Sequence, residues 1–236
     1  MTVTTPNSAI WSGVRDGLPF IVMVVPFATL FGVVAIEAGL TLAQTISFSI
    51  LVIAGASQFA ALQMMSENAA IGFVLFAALA VNLRMAMYSA ALVPFLGAAP
   101  FWQRALIGYF NFDQSYLTSV AKYEDTSQMP LNARVLYFFG VSLAIAPLWC
   151  VFTVIGAKLG MFIPQDIEIT FVLPLAFLAM VAPALKSLAH IAAAFVSIVL
   201  ALLLVNFPSG SGLLIAALCA MIAGVVVEIQ IEKRNK

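Results

Sequence analysis

Arg84 is the fifteenth residue of a predominantly apolar run of 27, residues 70–96, and it is the one full charge near the middle of any clear apolar run. A central arginine costs at least about 2.5 kcal/mol on insertion scales, so it must face protein or water. Its guanidinium is always charged and presents a fork of donors suited to a carboxylate, including that of an amino acid. Tyr88 lies one helical turn further along the same face, whereas Asn82, two residues before Arg84, points elsewhere. An internal partner such as Asp113 would also account for the charge.

A second unusual stretch is Gly55-Ala56-Ser57-Gln58, at the centre of the apolar run 44–66. Glycine beside small polar residues permits close helix approach or local unwinding. Unwound backbone is tolerated at membrane depth only where it lines a cavity or is buried in protein. A small-residue packing face with Gln58 bonded to a neighbour is the other reading. Pro19, Pro26, Pro147, Pro174 and Pro183 also interrupt apolar runs, as kinks do. Asp113, in a polar segment, is the candidate for carrying a coupled proton.

Enzyme chemistry lacks its parts. There is no HExxH, GxSxG or P-loop, and no pair of intramembrane aspartates. Ser57 with His190, the only histidine, is a weak dyad, and His190 reads better as a satisfied hydrogen-bonding group with Lys186 at an interface. Glu37 and Lys158 read as interfacial charges near helix ends. Cys150 and Cys219 stand alone in apolar runs, without metal-ligand spacing. No catalytic residue, metal or cofactor is expected.

The elements that hold these residues follow from composition. Of 236 residues, 64% are hydrophobic and only 8% charged, against about 25% charged in a soluble domain. Most of the surface must meet a lipid bilayer. Net charge is zero and cations are scattered, so the basic patch needed for nucleic acid is missing. Seven runs are long enough to cross about 30 Å of hydrocarbon as helices: 18–39, 44–66, 70–96, 136–160, 168–186, 188–206 and 211–231. Alternating strands are absent. The expected fold is therefore an all-α polytopic transmembrane bundle forming a single domain over 1–236.

Residues 1–17 are polar and mixed, with Trp11 expected at headgroup depth and the first run retained as a span. The connecting segment 97–135 contains Phe101 to Lys122, where Asn111, Ser115, Thr118 and Lys122 make one polar face. It suits either an interfacial helix or an eighth helix buried among the others. Seven spans leave Arg15 and Lys158 on one side and seven cations on the other. Eight leave Arg104 and Lys158 outside, with both termini inside. Both splits place the C-terminus in the cytoplasm and neither chooses the count.

Residues 26–39 align with 147–160 at an offset of 121, sharing Pro, Phe, Val and the final Gly. Further matches suggest a three-helix duplication, 18–84 and 139–207. Repeated helix triplets with interrupted helices are a common build of secondary transporters. Seven spans would make the halves inverted, eight parallel.

Gly13-x-Arg15-x-Gly17-Leu18-Pro19, Pro26-Phe27 with Phe31-Gly32, Ala54-Gly-Ala-Ser-Gln-Phe59, and Val81-Asn-Leu-Arg84 with Tyr88-Ser89 stand in order along the chain. Together they resemble the large subunit of the branched-chain amino acid exporter family, the AzlC-type permeases. The resemblance implies a bacterial inner-membrane exporter of leucine, isoleucine, valine and methionine. It also implies an ion gradient as driving force and a small AzlD-type membrane subunit as partner. Two positions depart from the family pattern: Met85 follows the arginine where many relatives have histidine, and Asp113-Gln114 replaces an acidic pair. The expected substrate site comprises Arg84, Asn82 and Tyr88 with Gly55, Ser57 and Gln58. A scaffold or channel-like subunit is the alternative, with an intramembrane enzyme behind it.

Overall fold

A computed structural model describes residues 6–126, 128–162, 185, 187–204 and 211–234, and all regular structure among them is helical. The helices are α1 (Pro6–Gly17), α2 (Ile21–Glu37), α3 (Leu42–Leu51), α4 (Gly55–Ser66), α5 (Ile71–Leu96), α6 (Phe101–Tyr109), α7 (Asp113–Asp125), α8 (Leu131–Gly160), α9 (Leu188–Leu203) and α10 (Ser211–Arg234). Described residues of Met1–Gln58 and Leu79–Ile167 form one compact unit, and those of Phe59–Ala78 and Glu168–Lys236 a second.

Four helical stretches are long and apolar enough to cross a membrane: Ser8–Glu37, Ile71–Leu96, Leu131–Gly160 and Ile215–Lys233. The first begins well before the expected residue 18. A single 3-10 turn, Leu18–Phe20, with Pro19 in its first turn, joins α1 to α2 without breaking the rod. Residues 6–17, polar and mixed as they are, are therefore helix. Ala9, Gly13 and Gly17 recur every four residues and are buried, making a small-residue face that mean polarity conceals.

That face packs on α8. A Cβ on Gly13 would stand 2.2 Å from the Tyr137 carbonyl, and one on Gly140 2.3 Å from that of Ile10. Further along, Gly17 meets Ala144, Gly156 meets Thr29, and Gly160 meets Val33. Residue numbers rise together on both helices, so Ser8–Glu37 and α8 run parallel, backbone against backbone. Close approach of this kind substitutes van der Waals contact for the hydrophobic force that lipid removes. A hydroxyl pair, Ser49 Oγ to Thr153 Oγ1 at 3.1 Å, ties α3 to the same helix.

The run expected as one span over 44–66 is two helices separated by residues 52–54. Thr41 and Gln44 form a capping box that starts α3. The polar segment is likewise two helices, of 9 and 13 residues, parted at Phe110–Phe112. Asn111 lies in that gap, off the helical face it was expected to share with Ser115, Thr118 and Lys122. α7 buries Ser115, Ser119 and Tyr123, and it packs on α8. In the second unit α9 and α10 pack together, with Gly224 against Ala193. The expected span 168–186, with Pro174, Pro183 and Lys186, lies outside the described residues except for Leu185, and so the middle of the proposed second repeat does too.

Candidate functional site

The gap between α3 and α4 leaves helix ends inside the fold. Val52 is extended, at φ −132° and ψ 89°, and the Ala54 N–H turns back to the Val52 carbonyl. That robs the Ile50 carbonyl of the donor four residues on, and the Tyr109 hydroxyl donates to it instead. Ala54 in turn accepts from both the Gln58 N–H and the Ser57 hydroxyl. Gly55 is required because the ring edge of Trp149 occupies the space of a side chain, 2.7 Å from where its Cβ would be. Phe31 stacks on the same indole at 6.2 Å.

Gln58 is fully buried, and among the described residues neither its amide nitrogen nor its amide oxygen has a partner; the Trp149 Nε1 is also buried without an acceptor among them. Buried amides are ordinarily satisfied, so an orphaned one calls for a water or a ligand.

The gap between α6 and α7 holds the second polar cluster. Asn111 donates to the Met85 carbonyl at 3.3 Å and to Ser89 Oγ at 3.1 Å, fixing the gap against α5. The Ser115 hydroxyl accepts from the Phe112 N–H and closes the start of α7. Asp113 is then held in α7's first turn, where the helix dipole favours a carboxylate. Arg84 Nη2 reaches one of its oxygens at 3.1 Å, and the Tyr88 hydroxyl donates to the other at 3.0 Å. Tyr116 stacks on Tyr88 at 4.1 Å. The pair is not sealed: the two side chains are 29% and 34% exposed, and the buried Arg84 Nε has no partner among the described residues.

An apolar groove of about 350 Å³ lies between the two gaps, at the small end of ligand pockets. Ile50 and Ile53 come from the end of α3 and the first gap, Tyr109 and Phe110 from the end of α6 and the second gap, and Leu143 and Pro147 from α8. Cys150 also lines it, so this lone cysteine faces the groove.

At the other end of α7, Lys122 approaches Asp16 of α1 at 3.9 Å, and the Tyr137 hydroxyl donates to the same carboxylate at 2.8 Å. The Tyr123 hydroxyl donates to the Arg134 carbonyl, and the Arg134 guanidinium lies over the Tyr123 ring. The N-terminal ends of the parallel pair thus carry Arg15, Lys122 and Arg134 together.

Arg84, Tyr88 and Asp113 meet as one cluster, so the alternative of an internal Asp113 partner for Arg84 is the arrangement present. Gly55, Ser57 and Gln58 stand at the other gap. Asn82 joins neither, and its Oδ1, on another face of α5, is buried without a partner among the described residues. Tyr109 and Trp149 had no signal in the sequence beyond aromaticity. Their roles depend on carbonyl and glycine positions fixed only by the fold.

A family profile described as AzlC protein matches residues 19–163, which include both gaps, the Arg84–Asp113 pair and all of α8. The chain belongs to the AzlC family. As an AzlC protein with several apolar helices of spanning length it is a multi-pass membrane protein. It is similar to the inner membrane protein YgaZ of Escherichia coli (strain K12), 24% identical over 181 residues that cover 74% of this chain and 73% of that relative. No solved structure matches it.

Proposed function

We propose that this AzlC protein is a secondary transporter that exports leucine, isoleucine, valine and methionine across the bacterial inner membrane, together with a small AzlD-type membrane subunit. The observation that carries the reading is the pair of broken helices that face one apolar groove, with an Arg–Asp–Tyr cluster at one break. Discontinuous helices around a central site are the common architecture of secondary transporters. Arg84 is the carboxylate ligand. Substrate reaches it by displacing Asp113, which then faces the substrate ammonium, so a zwitterion exchanges with the internal ion pair. The vacant Arg84 Nε supplies a second hydrogen bond to the incoming carboxylate.

The branched side chain enters the groove. Apolar walls discriminate poorly, at about 1–3 kcal/mol per methylene, which favours a broad range of small apolar amino acids. No covalent chemistry is involved, and Asp113 is the coupling carboxylate.

The parallel course of Ser8–Glu37 and α8 supports a topology. Two helices that enter from the same side require an odd number of crossings between them. α5 supplies one, so the broken segments 42–66 and 101–125 both cross or both turn back. We take both as crossing, which gives eight spans, whereas seven would run the two helices antiparallel. Arg15, Lys122 and Arg134 then share one side with both termini, and the positive-inside rule makes that side cytoplasmic. The two proposed repeats would run in the same direction.

The test is leucine export. Cells loaded with a leucine-containing dipeptide lose intracellular leucine faster only when this chain and a small partner subunit are both present. Unchanged leucine despite verified insertion of both proteins would refute the assignment. The internal pairing of Arg84 favours a second reading, a scaffold whose partner binds the substrate. In that case Arg84→Ala and Arg84→Lys would export leucine at the rate of the unaltered chain.

A further inference from the structure

The Arg84–Asp113 contact uses half of what a guanidinium edge offers. Nε and Nη2 share one edge of the group, a two-donor fork that matches the two oxygens of a carboxylate. Here Nη2 meets Asp113 Oδ2 at 3.1 Å, while the buried Nε has no partner among the described residues. The other oxygen, Oδ1, accepts from the Tyr88 hydroxyl at 3.0 Å. Tyr88 thus holds the oxygen that a two-bond pairing would bring to Nε, and the ion pair stays half-made.

Tyr116 keeps Tyr88 in that place. The two rings are stacked 7° from parallel with centroids 4.1 Å apart. A tyrosine hydroxyl lies on its χ2 axis, so χ1 alone moves it, and a ring lying flat on one face blocks the swing to that side. Tyr116 lies one turn along α7 from Asp113, and Tyr88 one turn along α5 from Arg84, so each helix supplies one charge and one ring to the same contact. The register of the two helices does not depend on the rings. Asn111 fixes it by donating to the Met85 carbonyl and to Ser89 Oγ, on the residues next to Arg84 and Tyr88 in α5. Loss of the Tyr116 ring therefore frees Tyr88 without releasing the start of α7 from α5.

We infer that Tyr116 is a positioning residue for substrate binding: it braces Tyr88 as a wedge that keeps the Arg84–Asp113 pair open to exchange with the carboxylate of a small apolar α-amino acid. With the wedge in place, an incoming carboxylate breaks one contact and gains two donors, Nη2 and Nε. Without it, Asp113 brings Oδ1 onto Nε, and the substrate has one more bond to a charged group to break. The identity of the ligand rests on the exporter reading. The wedge itself rests on the mutual contacts of Arg84, Tyr88, Asp113 and Tyr116.

The experiment measures equilibrium binding of radiolabelled leucine to membrane vesicles from the cells used for the efflux assay, with the number of sites normalised to the chain by immunoblot. Tyr116→Leu should raise the half-saturating leucine concentration about tenfold or more, the weight of one hydrogen bond to a charged group, with the number of sites per chain unchanged. Tyr116→Phe keeps the ring and should restore tight binding. Tyr88→Phe keeps the stack but loses the hydroxyl; it should raise the concentration as much, and Tyr116→Leu added to it should cost nothing further. In an Asp113→Ala background neither substitution should matter. The wedge is overturned if Tyr116→Leu leaves the half-saturating concentration unchanged or lowers only the number of sites. It is also overturned if the cost of Tyr116→Leu is undiminished in the Tyr88→Phe chain, or if either cost persists without Asp113, which would make the tyrosines direct ligands. A ligand-free measurement stands beside these: Arg84→Gln should lower the melting midpoint of a detergent extract by more in the Tyr116→Leu chain than in the unaltered one, and an equal or smaller loss would overturn the wedge. Absence of leucine binding by the unaltered chain would instead remove the exporter reading, with the wedge decided by the melting comparison.

Discussion

The parallel seam between Ser8–Glu37 and α8 makes a quantitative prediction at Gly156. A Cβ there would stand 1.9 Å from the Thr29 carbonyl oxygen, while carbon and carbonyl oxygen ordinarily settle at about 3.3–3.6 Å. Neither atom can rotate away, because both belong to rigid helical backbone. The helices must part by more than about 1 Å, and a gap of that size forfeits a quarter to a half of the attraction between facing atoms. Gly156→Ala should therefore destabilise by about 1–3 kcal/mol, the usual range for overpacking. The higher helix propensity of alanine offsets less than about 1 kcal/mol of this. Gly108→Ala, where a Cβ meets nothing within 4 Å, receives the propensity gain without the clash and should be neutral or slightly stabilising. The assay is the midpoint for loss of monodisperse protein on heating a detergent extract, read by size-exclusion chromatography. A cost of this size lowers the midpoint by about 2–12 °C for a chain of this length. Gly32→Ala, 2.1 Å from the Thr153 carbonyl, should do the same. The double substitution should cost less than the sum, since the first already parts the helices. A Gly156→Ala midpoint within one degree, or about that, of Gly108→Ala would refute the parallel seam.

With Cys150 and Cys219 replaced by serine, a cysteine at Gln128 should be labelled only from the cytoplasm and one at Ala98 only from the periplasm. Labelling of both from one side would show that 101–125 does not cross. Arg84→Ala should cut leucine efflux at least tenfold, and Asp113→Asn should uncouple it from the driving gradient; efflux unchanged in both would leave the cluster without a transport role. Tyr109→Phe leaves the Ile50 carbonyl without its donor, and it should lower the melting midpoint by the equivalent of about 0.5–1.5 kcal/mol. A midpoint equal to that of the unaltered chain would mean that this carbonyl finds another partner. Gly55→Ala drives a methyl into the Trp149 ring, 2.7 Å away, and should weaken leucine efflux more than Gly108→Ala does; equal efflux would show that Trp149 moves freely.

What could be read from the residues alone was whatever depends on local chemistry. The class of fold followed from composition, because 8% charged residues cannot cover a protein in water. The helices over 70–96, 136–160 and 211–231 came close to their observed bounds, since an apolar run in lipid has to satisfy its backbone as a helix. Arg84 stood out by cost, Tyr88 by helical spacing, and Asp113 as a carboxylate in a polar segment and one alternative partner for that arginine. Gly55 with its small polar neighbours marked a break within three residues of the one found. Even the seam had a signature, Gly13-x-x-x-Gly17 and Gly156-x-x-x-Gly160, the spacing that lets membrane helices touch.

Only the tertiary structure decided which of those surfaces meet and in which direction. Apolar residues cover α2, α5 and α8 on every side, and leucine facing lipid is no different from leucine facing protein, so hydropathy cannot say which stripe is buried. The early start of the first long helix, the pairing of its glycines with those of α8, and the shared direction of the two emerged from packing across more than a hundred residues. The same holds for Tyr109 closing the Ile50 carbonyl and for Trp149 lying over Gly55. Each depends on a backbone atom freed by a break in another segment, a property of the fold that no residue's own chemistry encodes.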